Sequence, residues 1–190
     1  MNFFDAIALI VIAYVLPIPF AWYIVHNKIK IFIRLGYFNY ILSYGTCFAI
    51  GYFLFVVHPQ LSLFKLSTYY TFIPGIVIAL FVIYLDIKRQ ATFPFRTLIG
   101  LPEFMPRKYK SKLITSGIFG YIRHPRYLEY ILSALAMAFI TGLIISYIFF
   151  IYTLFAFNIL AGIEEKELVQ RFGKKYLAYM KKVPRFIPKL

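Results

Sequence analysis

Four long runs of residues carry no charge, and each is long enough to cross a lipid bilayer. They are Ala6–Val25, Leu35–Val57, Leu66–Leu85 and Tyr130–Ile163, of 20, 23, 20 and 34 residues. A helix that spans a bilayer needs roughly 20 apolar residues. A water-soluble chain of 190 residues has too little interior to bury this much apolar surface. We therefore expect an all-α membrane protein that forms one domain over residues 1–190.

The last run is too long for a single crossing. As one helix Tyr130–Ile163 would extend about 51 Å, well beyond the bilayer core. If its helix begins at Pro125, whose missing N–H has no partner in a first turn anyway, the run fits a tight hairpin of two spans that turns at Thr141-Gly142. The five predicted transmembrane helices are then residues 6–25, 35–57, 66–85, 125–141 and 143–163.

The basic residues predict the orientation of these spans. Five spans place segments 26–34, 88–126 and 164–190 on one side, and these hold 20 of the 21 basic residues, with only Lys65 opposite. Because basic residues concentrate on the cytoplasmic side, we expect a non-cytoplasmic N-terminus and a cytoplasmic C-terminus. The first run lacks the basic start of a signal peptide, so it is expected to be retained. The net charge of +14 then indicates anchoring to anionic headgroups rather than nucleic-acid binding.

After the last run the apolar residues recur at helical spacing. They are Leu168, Phe172, Tyr176, Tyr179 and Val183, separated by 4, 4, 3 and 4 residues. Lysines lie mostly off this stripe, at Lys174, Lys175, Lys181 and Lys182. The pattern predicts a C-terminal amphipathic interfacial helix on the cytoplasmic membrane surface.

Two polar clusters flank the predicted hairpin. Residues 115–127 hold two glycines, a histidine and two arginines, and a helix that begins at Pro125 would turn its positive dipole end towards a carboxylate or phosphate. Glu164, Glu165 and Glu167 follow the fifth span, and the hairpin brings them to the same depth. An acidic cluster on a basic face is a candidate site for a cationic ligand. The alternative is that the arginines anchor the span and the glutamates favour a helix start.

Single residues narrow the chemistry further. Glu129 lies just inside the fourth span, where ionisable side chains are rare and usually face a polar cavity. His124 has no second ligand at helical spacing, so no metal site is expected. Cys47 is the one cysteine, which excludes a disulfide framework and predicts a buried core residue.

Taken together, these motifs resemble a known family. The run Leu113–Phe119, the element Arg123-His124-Pro125-Arg126-Tyr127, a hydrophobic hairpin and then Glu164-Glu165 resemble the isoprenylcysteine carboxyl methyltransferases and the related phospholipid N-methyltransferases. Phe172–Tyr176 and the ending Val183–Pro188 fit as well. The resemblance covers about residues 105–190. It implies a cofactor-binding half that binds S-adenosylmethionine at the cytoplasmic side, and a lipidic or prenylated acceptor that enters from the bilayer.

The resemblance also carries residue roles. Those that it implies contact the cofactor are Lys112, Leu113, Ile114, Phe119, His124, Pro125, Arg126, Tyr127 and Glu164. Arg123 and Glu129 are the candidate catalytic residues. Two positions depart from the family pattern: Glu129 stands where a glycine is common, and Leu160 stands where the carboxyl methyltransferases have the arginine that pairs with the substrate carboxylate.

Several functions therefore stay open. A carboxylate acceptor needs no base, whereas an amine, thiol or phenol must lose a proton, for which Glu129, Tyr127 and Tyr121 are candidates. Leu160 and Glu129 favour an acceptor that carries a proton, so a phospholipid or other lipid N-, O- or S-methyltransferase stands beside the isoprenylcysteine enzyme. Two further alternatives are an NADPH-dependent sterol-reductase-like enzyme, which shares the Arg-His-Pro-x-Tyr element, and a non-catalytic membrane protein.

Overall fold

The computed structural model describes residues 1–27, 34–35, 38–92 and 112–188. Within these ranges the regular structure is helical, apart from one isolated β-bridge between Lys65 and Leu143. Residues 105–111 of the predicted cofactor-binding half lie outside the described residues. So do seven of the basic residues used to predict the orientation, namely Lys28, Lys30, Arg96, Arg107, Lys108, Lys110 and Lys189.

The helices pack around the hairpin that the sequence predicts. They are α1 Phe3–Val15, α2 Ile18–Asn27, α3 Phe38–Leu61, α4 Phe72–Thr92, α5 Pro125–Thr141, α6 Ile144–Phe172 and α7 Lys174–Lys182. A 3₁₀ turn, Gly117–Gly120, precedes α5. Helices α4 and α6 both pack against α5, α1 lies against α3 and α5, α2 lies against α6, and α7 contacts α6.

Among the described residues, three stretches of helix are long and apolar enough to cross a membrane: Phe3–Ile24, Ile41–Leu61 and Ile144–Phe172. They support the prediction of a membrane protein. The predicted count of five spans is not confirmed, because the last turns of α4 carry Asp86 and Arg89 and α5 has only 17 residues. Most described side chains of α3 are exposed, and most of the exposed ones are apolar, as expected for a helix that faces lipid.

The first predicted span is divided between two helices. Helix α1 ends at Val15 and α2 begins at Ile18, with Pro17 between them. Proline has no N–H to donate and its ring clashes with the preceding turn, which interrupts the helix at this point. The Pro17 carbonyl still accepts from the N–H of Ala21 at 2.9 Å, so α2 starts directly after the break.

The helix in the region of the third predicted span, 66–85, has different bounds: α4 begins at Phe72 and continues to Thr92. The N–H of Leu66 donates to the Gly142 carbonyl at 2.8 Å, which holds this stretch as an extended strap against the hairpin turn. Pro74 lies in the first turn of α4, where it breaks no hydrogen bond. A Cβ on Gly75 would lie 2.8 Å from Ile140, so the glycine serves close packing of α4 on α5.

The hairpin turns where its residues predict. Helix α5 begins at Pro125 and ends at Thr141, and Gly142 caps it with a φ of 69°. That left-handed conformation costs little only for glycine. Helix α6 starts at Ile144 and runs past the predicted end of the fifth span at 163, so Glu164 and Glu165 lie within a continuous helix.

The C-terminal apolar stripe faces protein. Gly173, with a φ of 57°, ends α6 and starts α7, so the stripe is divided between two helices. Tyr176, Tyr179 and Val183 are buried in a cluster with Leu168 and Phe172. The predicted interfacial amphipathic helix is therefore not confirmed, because periodicity identifies an apolar face but not the surface that covers it.

A buried ionic cluster lies at the turn end of the hairpin. The Asp5 carboxylate accepts from Lys65 Nζ at 2.8 and 2.9 Å and lies 3.0 Å from His58 Nε2. Asp5 and His58 are 2% and 7% exposed. His58, near the end of α3, is therefore buried against the carboxylate of α1.

Replacing Gly142 tests the hairpin turn. A Cβ at this position would lie 2.3 Å from the Leu66 carbonyl oxygen, in addition to the cost of a left-handed backbone, about 1–2 kcal/mol. Gly142→Ala should therefore lower the unfolding temperature in detergent clearly. Gly45→Ala is the control, because no atom lies within 4 Å of its Cβ and alanine favours a helix by about 1 kcal/mol. Equal stability of the two variants would contradict the role of Gly142.

Candidate active site

The 3₁₀ turn that precedes α5 is held by contacts with helices on two sides. The 3₁₀ turn Gly117–Gly120 packs on the last turn of α4, where a Cβ on Gly117 would lie 2.3 Å from Thr92 Oγ1. The Tyr179 hydroxyl of α7 donates to the Phe119 carbonyl at 2.6 Å. These contacts hold the turn between α4 and α7 and direct the following residues into the start of α5.

The C-terminal tail pairs with the residues that precede α5. The N–H of Arg123 donates to the Pro184 carbonyl at 2.9 Å, and the N–H of His124 donates to the Arg185 carbonyl at 3.1 Å. Arg123 also donates through Nη1 to the Met180 carbonyl at 2.9 Å. The backbone of the tail therefore fixes the position from which the Arg123 and His124 side chains project.

Both side chains reach one buried carboxylate, that of Glu165, which is 4% exposed. Arg123 Nη2 lies 2.9 Å and His124 Nε2 lies 3.1 Å from Glu165 Oε1. Arg185 donates to both oxygens, through Nε at 3.1 Å and Nη2 at 2.6 Å. We call Arg123, His124, Glu165 and Arg185 the Glu165 cluster. A carboxylate with this many charge-assisted hydrogen bonds is well compensated for its burial.

Glu164 faces a different set of groups. Its Oε2 accepts from the Tyr127 hydroxyl at 2.7 Å and lies 3.5 Å from His124 Nδ1. The rings of His124 and Tyr127 stack at 5.3 Å between centroids, and Tyr127 stacks on Phe157 at 5.2 Å. The His124 ring thus lies between the two carboxylates of the Glu pair and against an aromatic column.

This environment changes the acidity of the histidine. Burial is the largest influence and by itself lowers the pKa of His124. Hydrogen bonds to Glu164 and Glu165 and the negative charges of both carboxylates together outweigh it, so the pKa of His124 is raised above its ordinary value. The protonated imidazolium, which can donate from both ring nitrogens, is the form that the two carboxylates stabilise.

The polar side chains at the start of α5 point in three directions. Tyr127 points to α6, as described above. Arg126 donates through Nε to the Tyr130 hydroxyl at 2.7 Å, and its guanidinium lies 5.5 Å from the centre of that ring. Glu129 accepts from Nε of Arg89 of α4, at 2.9 Å to each oxygen. Two residues along a helix are about 200° apart, so Glu129 and Tyr127 lie on opposite sides of α5.

The structure therefore brings together only part of the predicted set. Arg123, His124, Pro125, Tyr127 and Glu164 lie together at the start of the hairpin. Glu129 instead forms a buried ion pair with Arg89, and its predicted catalytic role stays a prediction. The remaining predicted residues lie elsewhere: Arg126 donates to Tyr130, Lys112 is exposed, Leu113 packs under α7, Ile114 is half-buried, and Phe119 is half-buried within the 3₁₀ turn.

Sequence reasoning missed Arg89 and Arg185 as parts of these networks. Glu129 inside an apolar run is a signal that a cation must lie near it, but the sequence does not say which. Arg185 stands inside the Val183–Pro188 ending, where it was counted only as one of the basic residues. Leu160, which replaces the substrate arginine of the carboxyl methyltransferases, is 2% exposed and belongs to the apolar core.

Comparisons with known proteins add the family. The model described as the ergosterol biosynthesis ERG4/ERG24 family matches residues 4–190. The chain belongs to this family. It is also similar to the protein-S-isoprenylcysteine O-methyltransferase of Schizosaccharomyces pombe, 39% identical over 77 residues, which are 40% of this chain and 33% of that protein. The chain thus matches only about a third of the length of this curated relative, and no solved structure matches it.

The two findings bear differently on the resemblance read from the sequence. The similarity to an isoprenylcysteine methyltransferase is supported over 77 residues. Membership in the ERG4/ERG24 family covers nearly the whole chain, including the first hundred residues, where the sequence motifs indicated nothing beyond predicted spans.

Replacing Glu129 tests its role as the partner of Arg89. Glu129→Gln leaves a buried guanidinium beside Asp86 alone, so we expect a loss of about 1–3 kcal/mol of stability, measured by denaturation in detergent. The apolar double variant Arg89→Met/Glu129→Leu should recover most of this loss. A Glu129→Gln variant as stable as the unmodified protein would contradict a structural ion pair.

The raised pKa of His124 predicts a pH dependence of stability. The folded protein binds the imidazole proton more tightly than the unfolded chain, so the contribution of His124 is full below about pH 6.5 and is lost as the pH rises through its raised pKa. The unfolding temperature of the unmodified protein, relative to His124→Gln, should therefore fall as the pH rises above about 6.5. A difference that grows with pH would contradict this sign.

Proposed function

We propose that the protein is an integral membrane methyltransferase that uses S-adenosylmethionine and acts on a lipidic or prenylated acceptor at the cytoplasmic membrane face. The observation that carries the proposal is the juxtaposition of Glu164, His124 and Tyr127 at the start of α5, backed by Phe157. Carboxylates and aromatic faces are the groups that stabilise ammonium and sulfonium charges. The partial similarity to an isoprenylcysteine methyltransferase supports the same conclusion.

The residues present fit this cofactor. Arg123 Nε is buried and has no hydrogen-bond partner among the described residues, so a donor is available for the carboxylate of a ligand. The N–H groups of a first helical turn have no partner within their own helix and also attract carboxylates. Glu164 would hold the amine, the sulfonium or the ribose hydroxyls, with the Tyr127 hydroxyl beside it. When bound, S-adenosylmethionine supplies an electrophilic methyl group.

The protein's own contribution is then mainly placement. A displacement at a methyl group needs acceptor and donor in line, so rigid positioning accounts for much of the rate. Among the three candidate bases, Tyr127 lies in the site, whereas Glu129 faces Arg89 and Tyr121 is 70% exposed. The α5–α6 hairpin brings the site to the end of apolar helices, so an acceptor with an apolar chain would enter from the bilayer.

A second candidate is an NADPH-dependent sterol-reductase-like enzyme, which the match to the ERG4/ERG24 family favours. The charge of the site argues against it. NADPH carries several phosphate charges, and Glu164 would repel a phosphate placed beside it, because the arginines near the site are directed to Glu165 and Tyr130. S-adenosylmethionine has a single carboxylate and two cationic groups, which suits a site of mixed charge.

Binding of the two cofactors separates these functions. In calorimetry on the purified protein we expect S-adenosylmethionine to bind with a Kd of roughly micromolar, and NADPH not to bind. Glu164→Gln should weaken the former at least about tenfold, because it removes the charge that faces the amine or sulfonium. Glu167→Gln is the matched control, since this glutamate pairs with Arg171 one helical turn along α6.

Transfer of a radiolabelled methyl group to membrane lipid extract then tests catalysis, with Glu129→Gln included to test its predicted catalytic role. Binding of NADPH but not of S-adenosylmethionine would support the reductase instead. Equal effects of Glu164→Gln and Glu167→Gln would contradict the assignment of Glu164.

A further inference from the structure

Arg185 closes a ring of contacts around His124. Its carbonyl accepts from the backbone N–H of His124 at 3.1 Å. Its guanidinium donates to both oxygens of Glu165, and Glu165 Oε1 in turn lies 3.1 Å from His124 Nε2. One residue of the C-terminal tail thus determines both the backbone position of His124 and, through Glu165, the orientation of its ring.

The side chain of Arg185 is itself held in place on α6. Its Nη1 donates to Asn158 Oδ1 at 2.6 Å. Its Nη2 lies over Gly162, where a Cβ added to the glycine would be 3.9 Å from it. Asn158, Gly162 and Glu165 lie on one face of the helix, since they are four and three residues apart. A basic residue that served only to anchor the tail to headgroups would not need this docked, two-point geometry.

Glu165 could not take its place without compensation. Its side chain is 5% exposed, and an ionised carboxylate removed from water costs several kcal/mol unless cations and hydrogen-bond donors surround it. Arg123 and Arg185 supply these. If Arg185 were lost, Glu165 would depend on Arg123 and His124 alone, and the ring of His124 would be drawn more strongly towards it and away from Glu164.

We propose that Arg185 is a positioning residue, which holds Glu165 so that the His124 ring stays between the two carboxylates of the Glu pair. This inference rests on the proposed function, in which His124 and Glu164 contact S-adenosylmethionine. The tail that follows α7 is then part of the site, and Glu164 and Glu165 have separate tasks. Glu164 faces the ligand, and Glu165 orients the group beside it.

The titration of His124 measures this directly. The charged and titratable groups that face the ring are Glu164 and Glu165 from α6, Tyr127 from α5, and Arg123 and Arg185. The chain has three histidines, so the NMR signal missing in His124→Gln identifies this one. Arg185→Gln removes a cation that shares Glu165, and should move the His124 midpoint upward by about one pH unit. Arg185→Lys keeps the charge and should stay close to the unmodified protein.

Cofactor affinity supplies the second readout. Arg185→Gln should weaken the binding of S-adenosylmethionine about tenfold. Added to a protein that already carries Glu165→Gln, it should cause no further loss of affinity, because the two residues act as one unit. Arg171→Gln is the matched control: Arg171 also pairs with a glutamate of α6, Glu167, but one that lies outside the Glu165 cluster. It should change neither the midpoint nor the affinity.

Two results would overturn the proposal: an unchanged His124 midpoint in Arg185→Gln, or additive losses of affinity in the double variant. If the unmodified protein does not bind S-adenosylmethionine, the proposed function fails. The titration then decides the role of Arg185 without reference to the cofactor.

Discussion

The buried carboxylate of Glu165 accepts hydrogen bonds from parts of the chain that are far apart in sequence. His124 lies 41 residues before it and Arg185 lies 20 residues after it. Since a buried charge that loses a partner costs several kcal/mol, α6, the start of α5 and the tail have to assemble together. The hydrogen bond from His124 to this carboxylate also positions the His124 ring and the Tyr127 ring that stacks on it. The geometry of the candidate site therefore depends on a residue that the ligand itself need not touch.

A second set of charges stands at the other end of the same hairpin. Asp5, His58 and Lys65 join α1, α3 and the strap that bonds to Gly142. Between the two ends α5 has 17 residues, which is about 25 Å of helix and close to the thickness of a bilayer core. Buried ion pairs thus hold the helices together at both ends of α5, while the middle of the hairpin is held by apolar packing around Phe149, Phe157 and Leu160.

The sequence predicts those features of the fold that are determined by residues close to them in the chain. Pro125 and Gly142 set the ends of α5 through their own stereochemistry, so the hairpin could be read directly. The start of α4 could not be predicted in this way, because Leu66 bonds to Gly142, 76 residues away in sequence, and Thr71 bonds to the Phe139 carbonyl of α5.

The same distinction applies to the site. The motif residues from Arg123 to Tyr127 and the Glu pair were found because they are close in sequence and chemically unusual. Their partners were not found, since periodicity and composition do not say which helices are neighbours. Glu129 inside an apolar run indicates that a cation lies near it, yet only the packing of α4 on α5 identifies that cation as Arg89. Likewise, the spacing of Tyr176 and Tyr179 predicts an apolar helix face, but in the structure this face packs against other residues of the protein.

The distribution of cations in the site bears on the choice of acceptor. Leu160 is one helical turn before Glu164 and lies on the same side of α6, so it is apolar at the position where a carboxylate substrate would need a cation. Arg123 and Arg185 both direct guanidinium groups to Glu165, and Arg126 directs its own to Tyr130. An anionic acceptor beside Glu164 would meet a like charge, and the arginines described here are oriented towards other groups. A neutral or amine nucleophile avoids that repulsion, so under the proposed function the charges around Glu164 favour a lipid amine or hydroxyl over a prenylated carboxylate.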